Sequence, residues 1–211
     1  DSSGAAVNTS GTITSNVSAN PAYGQSVVSW SNSNYSQTIG HGLSQAPELI
    51  LMKERSISRG WLVYAAPLGN DYYLSLNATG AAAPNNNGRV QVSGTDTFIS
   101  GVDGTDAIAY CFHSVAGYSK VSSYEGTGGT HTITTGFAPA FVMIKNADAT
   151  GHWTMWDNTR NPNNPVTQLL RANTSGAEET KTDREPSFLS TGFSIGDADA
   201  DTNASGQTYI Y

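Results

Sequence analysis

One eighteen-residue pattern is written twice in this chain. Residues 47–64, PELILMKERSISRGWLVY, are answered by residues 139–156, PAFVMIKNADATGHWTMW. Each copy opens on proline, runs through four apolar residues to a lysine, turns through polar residues and resumes on tryptophan. Pro47 and Pro139, Lys53 and Lys145, and Trp61 and Trp153 all stand 92 residues apart. Such a repeat constrains architecture more than any single motif, because each copy must build the same structural unit. It also sorts the chemistry: a side chain present in only one copy is not required by the fold.

The period implies two lobes of roughly 90 residues, near the lower end of domain size. Charged residues are only 13% of the 211, while Gly, Ser, Thr and Asn abound. That composition suits short strands joined by tight turns. The net charge is −7 and no basic stripe occurs, which argues against nucleic-acid binding, since phosphate backbones demand clustered Lys and Arg. No apolar run approaches the roughly 18 residues of a membrane-spanning helix. The single Cys111 excludes an intrachain disulfide and a cysteine metal cage. Within the strand pattern at 107–112 it reads as a buried small hydrophobe.

Taken in order, the chain reads as all-β, with two tandem, internally repeated, β-sandwich-like (jelly-roll-like) lobes and little helix. Residues 1–25 read as an N-terminal arm with a candidate exchanged strand at 12–18, residues 26–116 as the first lobe and residues 117–211 as the second. First-lobe strands are expected at 26–30, 35–39, 49–52, 61–65, 71–76, 89–92, 97–100 and 107–113, with a loop at 81–88. The unbroken apolar run at 49–52 predicts a strand buried on both faces. In the second lobe 121–124 answers 28–30, and Gly136-Phe137 answers Gly42-Leu43 at an offset of 94. Strands are expected at 130–134, 141–144, 153–156, 188–195 and 207–211; residues 166–171 fit strand or short helix, and 175–185 an exposed loop. The sequence stops at Tyr211 within a strand pattern whose first-lobe counterpart runs on through His113. The end of that strand is expected from residues beyond 211 or from a neighbouring subunit.

The stretches at 11–20 (GTITSNVSAN), 38–43 (TIGHGL), 46–53 (APELILMK), 109–112 (AYCF), 117–124 (GYSKVSSY), 135–145 (TGFAPAFVMIK) and 203–211 (NASGQTYIY) together resemble a known family. It is a domain of unknown function found in tail-fibre and other virion structural proteins of marine phages, those of cyanobacteria and pelagic bacteria among them. The resemblance implies a virion-associated or extracellular β-rich structural module, and carries no catalytic residue across.

The residues themselves offer few chemical candidates. There is no GxSxG elbow, P-loop, dinucleotide fingerprint or HExxH. His41 lies in a glycine turn, but the second copy has Thr135 there, so a turn role is expected; His113, His131 and His152 are scattered. Glu48, Glu54 and Glu125 read as solvated acids at strand edges. Asp197, Asp199, Asp201 and Asn203, alternating in DADADTNASG, place hard oxygen donors close together and are the candidate Ca²⁺ site. The run is not an EF-hand loop, because the glycine at position six and the glutamate at position twelve are missing. Trp61, Trp153 and Trp156 recur in the repeat and are expected in the core or between lobes, leaving Trp30 freest for surface contact. Lys53 and Lys145 end a buried strand and are expected to reach solvent. Asn-x-Ser/Thr sequons at Asn8, Asn16, Asn34, Asn77, Asn173 and Asn203 are candidate glycosylation sites.

These observations favour a non-enzymatic structural protein, homo-oligomeric or a helical filament, of a virion appendage or extracellular filament. The alternative is a receptor- or glycan-binding module. Departures between the copies mark where function is to be sought: the arm, the 81–88 loop, the 158–186 insertion and the 197–206 turn.

Overall fold

A computed structural model describes residues 4–31, 34, 36–101, 106–182, 186–196 and 198–211. Nearly all of its regular structure is antiparallel β, in two units. Residues 4–76 and 83–115 make the first, and residues 77–82 and 116–211 the second. Among the described residues the only helical turns are two 3-10 segments, Pro21–Tyr23 and Ala66–Leu68. None is long and apolar enough to cross a membrane.

The first unit contains β1 (Ala6–Asn8), β2 (Ser15–Asn20), β3 (Gln25–Ser31), β4 (Gln37–Gly40), β5 (Leu49–Glu54), β6 (Leu62–Ala65), β7 (Tyr72–Ser75), β8 (Ala83–Pro84), β9 (Val90–Ser93), β10 (Thr97–Ser100) and β11 (Asp106–Phe112). Its large sheet runs β1-β2-β3-β11-β5-β6-β7-β8 and its small sheet β4-β10-β9. The two share one core, in which Val17, Val28, Trp30, Ile50, Met52, Ala107, Ala109 and Cys111 of the large sheet meet Ile39, Val90 and Phe98 of the small one. The period-2 alternation of strands puts these side chains on one face. Small residues on β11 leave room for Trp30, which meets Phe98 edge-on at 5.5 Å.

Strand β5 corrects one expectation. Ile50, Met52 and Glu54 are buried, but Leu49, Leu51 and Lys53 are only half-buried, so one face alone enters the core. On the other face the Trp61 and Tyr110 rings lie 6.2 Å apart, and Tyr110 is the cross-strand partner of Leu51. An apolar run can thus mean a patch under neighbouring side chains instead of two-sided burial.

Of the 25 residues expected as an arm, those from 4 onward lie on this unit. Strand β2 pairs with β3 along its length, from Ser15 opposite Trp30 to Asn20 opposite Gln25, and β1 pairs with β2. Val17 is a core residue.

The second unit contains β12 (Ser123–Glu125), β13 (His131–Thr134), β14 (Phe141–Asn146), β15 (Trp153–Asp157), β16 (Gln168–Arg171), β17 (Glu179–Thr180), β18 (Pro186–Leu189), β19 (Gly192–Ile195) and β20 (Thr208–Ile210). Its large sheet runs β12-β20-β14-β15-β16-β17 and its small sheet β13-β19-β18. The expected single strand at 188–195 is a hairpin, with Ser190 and Thr191 as the turn between β18 and β19. Gly192 lets β19 approach β13, since a Cβ there would stand 2.0 Å from the Ile133 carbonyl oxygen. The ambiguous 166–171 segment holds a strand. Residues 77–82 join this unit: Gly151 N–H donates to the Thr79 carbonyl and Ala82 N–H to that of Ala147.

Register makes the repeat specific. Glu54, Ala107 and Trp30 stand in one cross-strand row, and Asn146, Tyr209 and Tyr124 stand in the matching row. Phe98 opposite Ile39 is matched by Phe193 opposite Ile133. The Trp30–Phe98 edge contact recurs as Tyr124–Phe193, at 6.4 Å.

Candidate functional site

One side of the second unit lacks what covers the same side of the first. In the first unit residues 6–20 close both sheets at once. Strand β2 takes the outer edge of β3. The turn before it takes the outer edge of β4: Thr12 and Ile13 N–H both donate to the Thr38 carbonyl, at 3.0 and 3.2 Å, and Thr38 N–H donates to Thr12 Oγ1 at 2.9 Å. Ser15 Oγ donates to the Gly40 carbonyl at 2.9 Å.

In the second unit β12 and β13 hold the places of β3 and β4, and among the described residues neither has a strand on its outer side. Ser122 and Tyr211 exchange backbone bonds, and Gly126 N–H donates to the Gln207 carbonyl. By the alternation of antiparallel ladders, Ser123 and Glu125 therefore turn their N–H and C=O groups outward. Both residues are exposed, as are Thr132, Thr134 and Gly136. Glu125 is a solvated edge acid, as expected.

The other predicted site residues are distributed through the scaffold. Asp197 lies outside the described residues. Asp199 Oδ1 accepts the Asp201 N–H at 2.8 Å, and Asp201 Oδ1 accepts the His152 N–H at 2.8 Å. Asn203 Oδ1 accepts the Thr127 N–H at 2.9 Å, and its Nδ2 donates to the Gly129 carbonyl. The turn's oxygens thus tie backbone together. No group of three or more His, Cys, Asp or Glu side chains is placed to hold a metal ion among the described residues. Asn203 is buried, so its nitrogen is out of reach of a glycosylating enzyme in the folded chain. The Asn173 amide is occupied by the Trp153 N–H and His152 Nδ1. Asn8 caps the turn after β1 by accepting the Ser10 N–H, and Asn16, Asn34 and Asn77 are exposed.

His41 is wholly buried, and its Nδ1 accepts the Leu43 N–H at 3.1 Å, which is the expected turn role. Burial lowers its pKa, against the raising pull of the Thr95 backbone and Asp96. Burial pushes the Cys111 thiol up to about 12, opposed by a bond from Ser26, so it is no nucleophile. Trp30, expected at the surface, is core because it points between the two sheets, where it meets Phe98. Trp153 and Trp156 are buried and Trp61 half-buried.

Two charged residues are buried against expectation. Glu54 alternates with Met52 and so faces the core; its carboxylate is enclosed, ion-paired with Arg59 Nε at 3.5 Å and without a hydrogen bond among the described residues. Lys145 is fully buried because residues 77–82 fold over it, and its Nζ donates to the carbonyls of Asn146, at 2.5 Å, and Thr79, at 3.3 Å. Burial lowers its pKa to about 8, with Asp201 pulling upward. Lys53, its repeat partner, is half-buried and donates to the Arg59 carbonyl. The buried amide of Asn146, in the place of Glu54, is the hub of its unit. Its Nδ2 donates to Ala200 O, Gln207 Oε1 and Tyr209 Oη, and its Oδ1 accepts the N–H groups of Asp148 and Ala149.

A second surface feature lies on the first unit. Asn86, Asn87, Gly88, Arg89, Gln91 and Ile99 line a cleft of about 610 Å³. Buried Asn85 holds the loop, donating to Asn70 O and Val90 O and accepting the Arg89 N–H. The Arg89 guanidinium lies 5.3 Å from the centre of the Tyr73 ring.

No curated protein and no solved structure matches the chain. One family does, over residues 1–211. The chain therefore belongs to the family described as Domain of unknown function (DUF7483).

Proposed function

We propose that the chain is a non-enzymatic structural module of a virion appendage or extracellular filament, which assembles with copies of itself through strand pairing and apolar contacts. The observation that carries this reading is the bare edge of β12, which occupies the place that β2 covers in the first unit. An exposed edge is a template for another strand, and proteins that are not built to associate usually blunt it. The groups with chemical potential point the same way. His41, Cys111 and Lys145 are buried in structural roles, far from the surface a substrate would need. Negative-stain microscopy and sedimentation velocity over a range of concentrations test the proposal. Filaments or short chains of copies are expected; single particles at every concentration would end it.

A second reading, a glycan- or receptor-binding module, is favoured by the Asn86–Arg89 cleft, where side-chain amides and a guanidinium converge beside an aromatic ring. Such groups hydrogen-bond hydroxyl-rich or acidic ligands. Glycan-array binding that Arg89→Ala removes would establish it, and a blank array would dismiss it.

A further inference from the structure

The sheet edges of the two units are not equally defended. Strand β8 ends on Pro84 and β18 begins on Pro186, and proline has no N–H to offer a neighbour. The outer edge of β9 is bracketed by one asparagine: Asn70 Nδ2 donates to the Val92 carbonyl at 3.1 Å while its Oδ1 accepts the Val92 N–H at 3.0 Å. The same device recurs on β18, where Asn164 binds both backbone groups of Phe188 at 2.7 and 2.8 Å. Strand β17 carries Glu179, paired with Arg171 and Lys181, and β4 lies under Thr12 and Ile13. Among the described residues, β1 and β13 are left without such protection, and β12 has only the charge of Glu125 at its end. Strand β1 reads Ala-Val-Asn, without charge or proline, and Val7 is 70% exposed.

A pair of repeat-related glycines gives an independent mark of what is missing. Gly42 has φ +69°, and a Cβ on it would meet Val17 Cγ1 of β2 at 2.8 Å. Its counterpart Gly136 has φ +90° and nothing within 4 Å of the same position. The side chain that Val17 sets against Gly42 in the first unit thus has no counterpart over Gly136, beside the outer edge of β12.

We infer that the β1 edge of one copy pairs with the β12 edge of the next, across the open side of the second unit, so that copies join head to tail. This rests on the self-assembly reading above and names its contact. The stoichiometry favours edge addition over exchange of β2. Each chain has one segment 6–20, and moving it to another copy would open the first unit to close the second. Each chain also has one free β1 edge and one free β12 edge, so adding edge to edge satisfies both with no loss. Two different patches that meet in this way make a heterologous contact, which propagates unless the rotation closes a ring. On β1, Ala6 is level with Val17 on the core-facing side of the sheet and is small enough to approach Gly136. The edge at β12 is three residues long, so the contact belongs to the weak, small-interface class and needs high concentration.

The experiment uses two full-length variants. Ser123→Pro removes one outward N–H from β12 and leaves the Ser122, Tyr124 and Gly126 bonds to the β20 side in place. Val7→Glu puts on β1 a negative charge like that of Glu125 on β12, and a charged side chain is a common way of blunting an edge. Circular dichroism melts that match the natural sequence establish that both variants fold. Sedimentation velocity up to about 1 mM should show that assembly of the natural chain weakens by about tenfold or more in each variant alone. Mixing the two should restore association but stop it at dimers, because only one good edge pair remains. Assembly of Ser123→Pro equal to that of the natural chain would overturn the edge assignment and leave the self-assembly reading standing. A natural chain that stays monomeric throughout would overturn both.

Discussion

The two units share a ladder and differ at its ends. The first carries two strands beyond β3; the second stops at β12. Their cores solve the same problem with different residues. The first puts Val28 and Ala109 under the cover of Val17. The second has Ser122 and Tyr211 at those places, and the Tyr211 ring leans on Tyr124 at 6.0 Å and on Phe193 at 5.5 Å. One large ring thus does part of what a whole strand does next door. Residues 6–20 are therefore an addition to a frame that can close without them, and their absence from the second unit leaves a surface and no hole in the core.

The sharpest test of the comparison lies inside, at one position occupied by Asn146 in one unit and Glu54 in the other. Asn146→Ala takes the acceptor from the Asp148 and Ala149 N–H groups and a donor from Gln207 Oε1, while Ala200 O and Tyr209 Oη keep their bond to each other. At roughly 1–3 kcal/mol for each buried group left unsatisfied, a loss of about 3 kcal/mol or more is expected in calorimetry. Glu54→Met removes an enclosed carboxylate that takes no hydrogen bond among the described residues and leaves its ion-pair partner Arg59 in contact with solvent. Replacing a buried ionic group by an apolar one of similar size is often neutral or stabilising, so the first unit should hold or gain stability. Two losses of equal size would mean that the Glu54 carboxylate holds its unit together as the Asn146 amide does.

The next effects concern the cover itself. Val17→Ala deletes two buried methyl groups where β2 meets the core, and should lower the stability of the first unit by roughly 1–3 kcal/mol. Gly42→Ala and Gly136→Ala both force alanine into a positive-φ position, at about 1 kcal/mol each. Only the first also drives a Cβ into Val17. Gly42→Ala should therefore cost more in folding, whereas Gly136→Ala should act on association between copies. Equal melting shifts would mean that the Val17 contact carries no weight.

Much of the frame was legible in the sequence, because a repeat fixes strand order and pairing even when single strands are short. The offset of 92 placed Lys53 with Lys145 and Trp61 with Trp153 correctly in the β5–β6 and β14–β15 hairpins. Burial of the strand-end charges was not legible. Lys145 is covered by residues 77–82, which belong in sequence to the other half of the chain, and no local pattern announces that crossing. Trp30 departs from expectation for a related reason: its cover comes from Phe98, far along the chain on the small sheet, and β2 beside it is a small polar strand that looks like an arm until its partner edge is known. The edge-bracketing asparagines Asn70 and Asn164 left a faint trace, as an asparagine at the same offset of 94 in both copies.

Lys145 distinguishes the units by pH. Burial holds its pKa near 8 in the folded chain against 10.5 for a free lysine. Between those values the unfolded chain binds more protons than the folded one, so stability rises with pH across that window. Below about 8 both states are charged and the cost of burying the ammonium is constant. Chemical denaturation at pH values on either side should show this rise, and Lys145→Met should flatten it. His41 works in the same sense at lower pH: its folded pKa is depressed, so stability is complete above 6.5 and falls as the pH drops below it. A slope unchanged in Lys145→Met would mean that this ammonium is not the source of the rise, because the tyrosines of this unit, whose pKa values burial raises, act in the opposite sense.

The smallest expected effect is none, and it tests the acidic turn of the second unit against its weaker counterpart in the first. Calcium needs several oxygens free to converge on it. Here Asp199 Oδ1, Asp201 Oδ1 and Asn203 Oδ1 each already accept a backbone N–H. Arg171 stands 4.0 Å from Asp201 Oδ2, and Asp201 acts on the Lys145 ammonium, so cations of the chain already balance that carboxylate. A divalent ion would have to displace these contacts before gaining any of its own. Thermal melts in EDTA and in millimolar Ca²⁺ should therefore coincide. A ligand that binds only the folded state raises stability in proportion to the logarithm of its concentration. A melting point that climbs with Ca²⁺ would therefore mean that the turn rearranges and frees its carboxylates for the ion. In that case the second unit would carry a switch that the first, without the alternating acids, has no means to copy.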